Sequence, residues 1–187
     1  MSHRLLDLTV AGTAAIVLAP VIVAVALLVK CSSPGPVLYW SERVGRHNRI
    51  FRMPKFRSMR VDTPAVATHL LENPTRWLTP YGSFLRRSSL DELPQLWSIL
   101  RGEMSIVGPR PALFNQGDLI ALRTQRGVDV LRPGLTGWAQ VNGRDELPIP
   151  EKVKLDAWYL QHRSLALDLR IIAMTALRVV RAHGVTH

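Results

Sequence analysis

The feature that most limits how this chain can fold is an uncharged apolar segment near its N-terminus. Residues 8–29 form a run of 22 residues without a charge, and a helix needs roughly 20 apolar residues to cross a bilayer core. The run is long for a secretory signal peptide, and no small-residue cleavage pattern follows it. Pro20 lies near its middle, where a proline removes a backbone hydrogen bond and kinks a helix. We therefore expect a membrane segment, either a spanning helix or a helix–break–helix hairpin that returns to its own side.

Charge and cysteine content narrow the possible partners. The 187 residues suit one domain with a core of its own, and the net charge of +10 comes mainly from arginine, which supplies 20 of the 24 basic residues. This balance suits phosphorylated substrates, acidic lipid head groups or nucleic acid, although genome composition alone can also favour arginine. Cys31 is the single cysteine, which excludes an internal disulfide and a cysteine-based zinc cluster.

Local patterns give a coarse secondary structure. Residues 37–40 read as a short strand, and the alternating residues 49–53 predict a second one. Four stretches have helical patterns, the first of them interrupted at Pro94: residues 80–100, 115–126, 150–163 and 165–181. The last helix is amphipathic and basic, so it is predicted either to lie in a membrane interface or to pack on the core.

An adjacent pair of acids, Asp91 and Glu92, is the first candidate for chemistry. Ser89 and Glu92 have the spacing of a capping box, and acids suit the first turn of a helix, so a purely structural role is one interpretation. The other interpretation is functional. Two carboxylates near Arg86 and Arg87 are suited to binding Mg²⁺ and a diphosphate, with one acid as the nucleophile.

Three further stretches carry candidate binding groups. Arg110 stands between two prolines, whose rigidity limits the entropy lost when its guanidinium grips a phosphate. Lys55 and Arg57 would point to one face of a strand and offer two cations to an anion. Residues 132–144 are rich in turn formers and hydrogen-bonding groups, as an active-site loop would be. Each stretch taken alone is equally compatible with a structural turn or a solvated face.

Taken together and in order, these segments resemble the bacterial sugar transferase family, the monotopic phosphoglycosyl transferases. The matching stretches cover nearly the whole chain: SPGPVLYWSERVGR (33–46), FRMPKFRSMR (51–60), LTPYGSFLRRSSLDELPQLWSILRGEMSIVGPRP (78–111), RPGLTGWAQVNGR (132–144) and KLDAWYL (154–160). The length resembles that of the smallest members, which consist of the catalytic domain and one anchor.

The resemblance implies a reaction and its residues. Asp91 would attack the β-phosphate of a UDP-sugar, release UMP and carry a phosphosugar, which a polyprenyl phosphate then removes. Glu92 would bind Mg²⁺ with Asp91 or assist deprotonation of the lipid phosphate. Five other residues match family positions that border the phosphates or the nucleotide sugar: Lys55, Arg86, Arg110, Gln140 and Arg144. The similarity to the smallest members favours an N-acetylated or diamino sugar as the donor of this chain, with a hexose as the alternative.

The resemblance also implies an architecture. We expect a mixed α/β, helix-rich fold with a small sheet region, interfacial amphipathic helices and one re-entrant membrane helix. The family breaks this helix at a Ser-Pro pair, and here the pair is Ala19-Pro20. The expected division is an anchor at residues 1–31 and a catalytic domain at 32–187, on the cytoplasmic face of the bacterial inner membrane.

A rival interpretation is a membrane-tethered nucleic-acid-binding or scaffold protein without catalysis. The charge of +10 and the anchor would suit it, but the sequence has no recognisable nucleic-acid module. We therefore expect a UDP-sugar, polyprenyl phosphate and membrane lipids as partners, and no nucleic acid.

Overall fold

The N-terminal apolar segment forms two helices with a sharp bend between them. The computed structural model of the protein describes residues 2–64, 73–143 and 147–181. Helix α1 (Ser2–Val17) and helix α2 (Ala19–Ser32) are bent by 62°. Pro20 lies in the first turn of α2, and its ring would clash with the carbonyl of Ile16 in a continuous helix. Within the described residues, a membrane-crossing length and hydropathy is reached by the bent pair together and by no single helix.

The strands form two small sheets. Strands β1 (Leu38–Val44) and β2 (Ile50–Phe56) are the two that the sequence predicts, although both are longer than predicted, and they pair antiparallel. Strands β3 (Ser105–Val107) and β4 (Gly134–Thr136) pair parallel, and the sequence analysis predicted neither of them. The small sheet region is therefore confirmed, with one hairpin and one short parallel pair.

Helices make up most of the described chain, which confirms the helix-rich mixed α/β class. The α-helices that follow α1 and α2 are α3 (Gly82–Arg87), α4 (Gln95–Arg101), α5 (Gly117–Gln125), α6 (Trp138–Asn142), α7 (Ile149–His162) and α8 (Leu165–Arg181). The helix predicted over 80–100 is interrupted at Pro94, as predicted, and has a second break at Ser88–Ser89. Helix α4 begins directly after Pro94, where the missing N–H of the proline leaves no helical bond unmade.

Helix α1 contributes to the main hydrophobic core. Ala11 of α1 is fully buried with Ile99 of α4, Met104, Tyr159 of α7 and Ile171 of α8. A second cluster packs Val25 and Val29 of α2 against Phe56 and Leu85. The two helices thus pack on different parts of the same body, α1 on the core beneath β3 and α2 on the hairpin and α3.

Polar side chains at the start of α1 attach it to the core. The Arg4 guanidinium donates to the carbonyls of Ile99 and Leu100 at the end of α4, at 2.6 and 2.8 Å. The buried Asp7 carboxylate accepts from the Ser105 hydroxyl and the Ile106 amide, both at 2.8 Å. Because Ser105 and Ile106 belong to β3, these contacts attach the first two turns of α1 to the sheet. The predicted division at residues 31 and 32 stays a prediction.

Helix α8 has the predicted bounds, but Leu165 and Leu169, which belong to the apolar face that its sequence predicts, do not lie on its buried face. Asp168 and Ile171 are buried, whereas Leu165 and Leu169 are exposed. The Asp168 carboxylate accepts from the hydroxyl of Tyr159 at 2.6 Å, so a polar network orients this helix. Leucines are left on the outer face of α8.

Candidate active site

Asp91 and Glu92 lie in a single 3-10 turn, Leu90–Glu92, between α3 and α4. The turn is entered through Ser89, whose φ of 57° places it in the left-handed region, and the Ser89 side chain makes no capping hydrogen bond. The capping-box interpretation is therefore wrong. Glu92 does not reach back to Ser89, and its carboxylate instead accepts from Lys55 Nζ at 2.8 Å. The acidic pair is thus placed by tertiary contacts and not by helix capping.

Cations from three different elements surround the acidic pair. Lys55 comes from the end of β2, Arg86 from the last turn of α3, and Arg110 from the loop after β3. Arg110 Nη2 lies 3.7 Å from the same Glu92 oxygen that Lys55 binds. Burial lowers the pKa of Arg86, while the charges of Asp91 and Glu92 oppose that change. Three of the five residues predicted to contact the substrate therefore meet in one place.

Burial changes the acidity of Asp91. The residue is 7% exposed, and this burial raises the pKa of its carboxyl from 3.8 to about 6. Lys55 and Arg86 oppose the rise, whereas the neighbouring charge of Glu92 adds to it. A carboxylate kept out of water beside fixed cations is poorly solvated, which suits a nucleophile.

Arg57 does not belong to this cluster, contrary to its predicted pairing with Lys55. It is buried, and its guanidinium donates to the carbonyls of Pro34 and Ser33 at 2.5 and 2.8 Å. The predicted two-cation face of the strand is therefore wrong, because Arg57 follows the end of β2 and closes the turn after α2. Of Lys55 and Arg57, only Lys55 faces the acidic pair.

The loop after β4 contributes a separate group. Gln140 lies in α6, and its amide nitrogen donates to the Leu135 carbonyl at 3.4 Å. Its side-chain oxygen is buried and has no hydrogen-bond partner within the described part of the chain. Gly137, at the start of α6, lies against the backbone of Gly108, two residues before Arg110. Arg144 lies outside the described residues.

Two arginines that were not among the sequence candidates contact the Arg110 loop, and a third such residue, Asp156, binds one of them. Arg43 of β1 and Arg123 of α5 donate to backbone carbonyls of the loop, and Arg123 also pairs with Asp156 of α7. No local pattern marks these residues, because each partner lies on a different element and 13 to 68 residues away in sequence.

The carboxylates of Asp91 and Glu92 fit a Mg²⁺ ion that is also bound by substrate phosphates. The described residues contain no group of three or more His, Cys, Asp and Glu side chains that would hold a metal ion by themselves. Mg²⁺ is, however, usually held by one or two carboxylates together with substrate phosphates. Asp91 and Glu92 supply two adjacent carboxylates next to cations that suit those phosphates, so the residues fit a metal that arrives with its substrate.

The sequence of this chain is similar to those of known sugar transferases. The family model described as bacterial sugar transferase matches residues 1–182. UDP-glucose:undecaprenyl-phosphate glucose-1-phosphate transferase of Xanthomonas campestris pv. campestris is 46% identical over 96% of this chain and 39% of its own length. The enzyme of the same name from Escherichia coli K12 is 39% identical over 92% of this chain and 39% of its own length.

A third relative is close to this chain in length. The uncharacterized sugar transferase EpsL of Bacillus subtilis 168 is 37% identical over 97% of this chain and 89% of its own length. The chain thus spans about two fifths of the Xanthomonas and Escherichia relatives and most of the Bacillus one. On the extent of these matches, the chain belongs to the bacterial sugar transferase family.

Proposed function

We propose that this chain transfers a sugar 1-phosphate from a UDP-sugar to a polyprenyl phosphate and releases UMP. The observation that carries the proposal is the buried Asp91 carboxylate beside Glu92, with Lys55, Arg86 and Arg110 converging on the pair. The names of the Xanthomonas and Escherichia relatives, which describe glucose 1-phosphate transfer to undecaprenyl phosphate, support it. The product would start the assembly of a glycoconjugate.

The first displacement uses Asp91 as the nucleophile. One of its carboxylate oxygens attacks the β-phosphorus of the UDP-sugar, and the bond from that phosphorus to the oxygen bridging to the α-phosphate breaks. UMP leaves with the bonding electrons, and the sugar phosphate stays on Asp91 as an acyl phosphate. Burial of Asp91 supports this role, since a carboxylate with little hydration to lose attacks more readily.

The second displacement returns the enzyme to its starting state. An oxygen of the polyprenyl phosphate attacks the same phosphorus, the acyl phosphate bond breaks, and the Asp91 carboxylate is regenerated with a polyprenyl diphosphate sugar as product. Glu92 is adjacent to Asp91, and its hydrogen bond from Lys55 at 2.8 Å holds its carboxylate in place. We assign to it the role of accepting a proton from the lipid phosphate, as the resemblance implies. Two displacements allow a soluble and a lipid substrate to react in turn.

The cations stabilise the charge that moves in both steps. Lys55, Arg86 and Arg110 come from separate elements and are fixed before substrate binds, so they need little reorganisation as the phosphorus–oxygen bond breaks. Mg²⁺, which Asp91 and Glu92 would hold with the diphosphate, supplies further charge neutralisation when bound.

Glucose is the first donor to test. The sequence analysis favoured an N-acetylated or diamino sugar with a hexose as the alternative, whereas the names of two relatives specify glucose. Those relatives extend well beyond the region that this chain matches, so their donor is carried over here as a proposal.

The bent helix pair is proposed to be re-entrant, with the catalytic residues at the cytoplasmic face of the inner membrane. The family is membrane-associated in bacteria. Both ends of the pair are tied to the same body, because Arg4 binds the end of α4 and Arg57 binds the turn after α2. Near the bend, Ile16 and Val17 are 79% and 68% exposed, which favours contact with lipid there. The exposed Leu165 and Leu169 of α8 support an interfacial position for that helix.

UMP release tests the proposed reaction. Protein purified in detergent or nanodiscs is mixed with a panel of UDP-sugars led by UDP-glucose, with Mg²⁺ and undecaprenyl phosphate. We expect multiple-turnover UMP release that requires the lipid and Mg²⁺ and that proceeds with one donor far faster than with the others. The rival scaffold interpretation instead expects nucleic-acid binding that weakens steeply with salt, and no turnover of any donor.

The raised pKa of Asp91 predicts an acid limb in the pH profile. Only the carboxylate is a nucleophile, so kcat/KM for the UDP-sugar should fall as the pH drops through about 6, and then about tenfold per pH unit. Replacing Lys55 with methionine removes a cation that favours the charged form, and the limb should therefore move to higher pH. Initial rates of UMP release from pH 4.5 to 8 measure both, and a wild-type limb near pH 4 would contradict the assignment of Asp91.

The single cysteine allows a test of the membrane disposition. Cys31 is exposed at the end of α2, and a Ser2→Cys, Cys31→Ser variant moves the thiol to the start of α1. For a re-entrant pair, an impermeant maleimide should label neither thiol in intact cells and both after permeabilisation. For a spanning segment, one of the two thiols would react in intact cells.

A further inference from the structure

The segment that carries Arg110 has an unusual supply of hydrogen-bonding groups. Arg110 lies between Pro109 and Pro111, and neither proline has an amide hydrogen to donate. The loop can therefore be held at those two residues only through its carbonyl oxygens. How it is held matters, since the Arg110 guanidinium is itself half-exposed at 3.7 Å from Glu92.

All four successive carbonyls from 109 to 112 accept a hydrogen bond from another element. The amide of Gly134 donates to the Pro109 carbonyl, and the amide of Val44 to the Ala112 carbonyl, both at 2.9 Å. The two carbonyls between them are bound by side chains. Arg123 Nη1 donates to the Arg110 carbonyl at 2.8 Å, and Arg43 Nη1 to the Pro111 carbonyl at 3.2 Å.

Arg123 is fixed in direction by a buried ion pair. Its Nε and Nη2 both donate to one oxygen of Asp156, at 3.0 and 2.7 Å, and the two residues are 8% and 2% exposed. A guanidinium is planar, so binding Asp156 along one edge fixes where the remaining nitrogen points. That nitrogen, Nη1, is the one that reaches the backbone of Arg110.

From these contacts we propose that Arg123, held by Asp156, is a positioning residue for the phosphate grip of Arg110. Arg43 binds the same loop at the next carbonyl, that of Pro111. The assignment rests on the proposed function, in which Arg110 stabilises charge on the transferred phosphoryl group. It names residues of α5 and α7 as determinants of the rate, although they act through the backbone of the loop. Displacing a charged group by about 1 Å can lower a rate by on the order of 100-fold.

A structural role for the ion pair has to be separated from a positioning role. Removing one partner leaves an uncompensated buried charge and destabilises the fold. The variant of choice is therefore Arg123→Gln with Asp156→Asn, which removes both charges and keeps polar side chains of similar size. Arg123→Lys is the second variant, since it keeps the charge pair but lacks the fork needed to bind Asp156 and the Arg110 carbonyl together.

A double-mutant cycle with Arg110→Ala tests the proposal. UMP release is measured against UDP-glucose and any better donor, and UDP binding is measured by calorimetry on the same detergent-purified proteins. We expect both Arg123 variants to lower kcat/KM by about 10- to 100-fold at a nearly unchanged Tm. In the Arg110→Ala background the same changes should have little further effect, because the group that they position is gone. Arg46→Gln is the matched control, as Arg46 donates to a different backbone carbonyl, that of Val130.

The outcomes separate this inference from the proposed function. Wild-type turnover with unaffected Arg123 variants, or with losses that multiply fully with that of Arg110→Ala, overturns the positioning role alone. A wild-type protein that neither binds UDP nor releases UMP with any donor overturns the proposed function and the positioning role with it.

Discussion

Replacing Asp91 with asparagine is expected to lower the rate of UMP release by on the order of 10⁴-fold or more. Asparagine has nearly the same size and keeps one oxygen, so the 3-10 turn and its surroundings should persist. What it lacks is the anionic oxygen that forms the bond to phosphorus. A loss of this size separates a nucleophile from a charge that assists binding, because removing a binding contact raises KM and leaves kcat largely intact.

Trapping the intermediate makes this prediction specific to Asp91. Wild-type protein incubated with the labelled donor and Mg²⁺, without lipid, should retain one sugar phosphate on the peptide that contains Asp91. Hydroxylamine should release the label, since it cleaves acyl phosphates. The Asp91→Asn variant should retain none.

Two controls accompany the trapping experiment. Asp62→Asn makes the same chemical change at an exposed residue outside the site and should behave like wild type. Glu92→Gln should still be labelled, though more slowly, if Glu92 acts on the lipid phosphate in the second step. Equal turnover by Asp91→Asn and wild type would show that the sugar phosphate passes directly from donor to lipid.

The elements that could be predicted are those that follow from a local sequence pattern. The alternating residues 49–53 predicted β2, and the helical pattern of 165–181 predicted α8 with its bounds. Strands β3 and β4 have three residues each, too short for an alternation to be visible. Their pairing requires residues far apart in sequence and Gly134, where a Cβ would meet the backbone of Gly108.

The same distinction applies to the site. The local sequence grouped Asp91 and Glu92 with Arg86, but only the resemblance joined Lys55 and Arg110 to them. The left-handed Ser89 breaks the helix that was predicted to run through this region. A serine rarely adopts this conformation, so the local sequence does not predict the break. Arg57 was misassigned because its partners, the carbonyls of Ser33 and Pro34, come from a turn more than 20 residues earlier.

Asp7 leads to the second large prediction, which concerns stability. Its carboxylate is the acceptor for both the Ser105 hydroxyl and the Ile106 amide, and all three groups lie in the interior. Asp7→Ala would leave two buried donors without this acceptor, at a cost of about 1–3 kcal/mol each. We therefore expect a loss of roughly 2–5 kcal/mol in the free energy of unfolding. In a protein of this size that corresponds to a fall in Tm of about 10 °C, measurable by differential scanning fluorimetry in detergent.

Asp7→Asn is the matched variant, because its amide oxygen can still accept both hydrogen bonds. It loses only the additional strength that a charged acceptor gives, about 1 kcal/mol, so its Tm should lie close to that of wild type. Loss of the negative charge alone does not explain such a difference, since both variants remove the same charge.

The comparison between the two variants decides how the chain is organised. If α1 were a detachable anchor, as a boundary at residue 31 implies, Asp7→Ala would weaken membrane attachment and leave the Tm unchanged. If α1 is part of the core, the same substitution lowers the Tm and also lowers UMP release, because β3 leads directly into the loop that carries Arg110. Arg4 also attaches α1 to the region of the site, since it binds the end of α4, the helix that follows the acidic pair. The second outcome would mean that the helix proposed to enter the membrane also holds the catalytic residues in position.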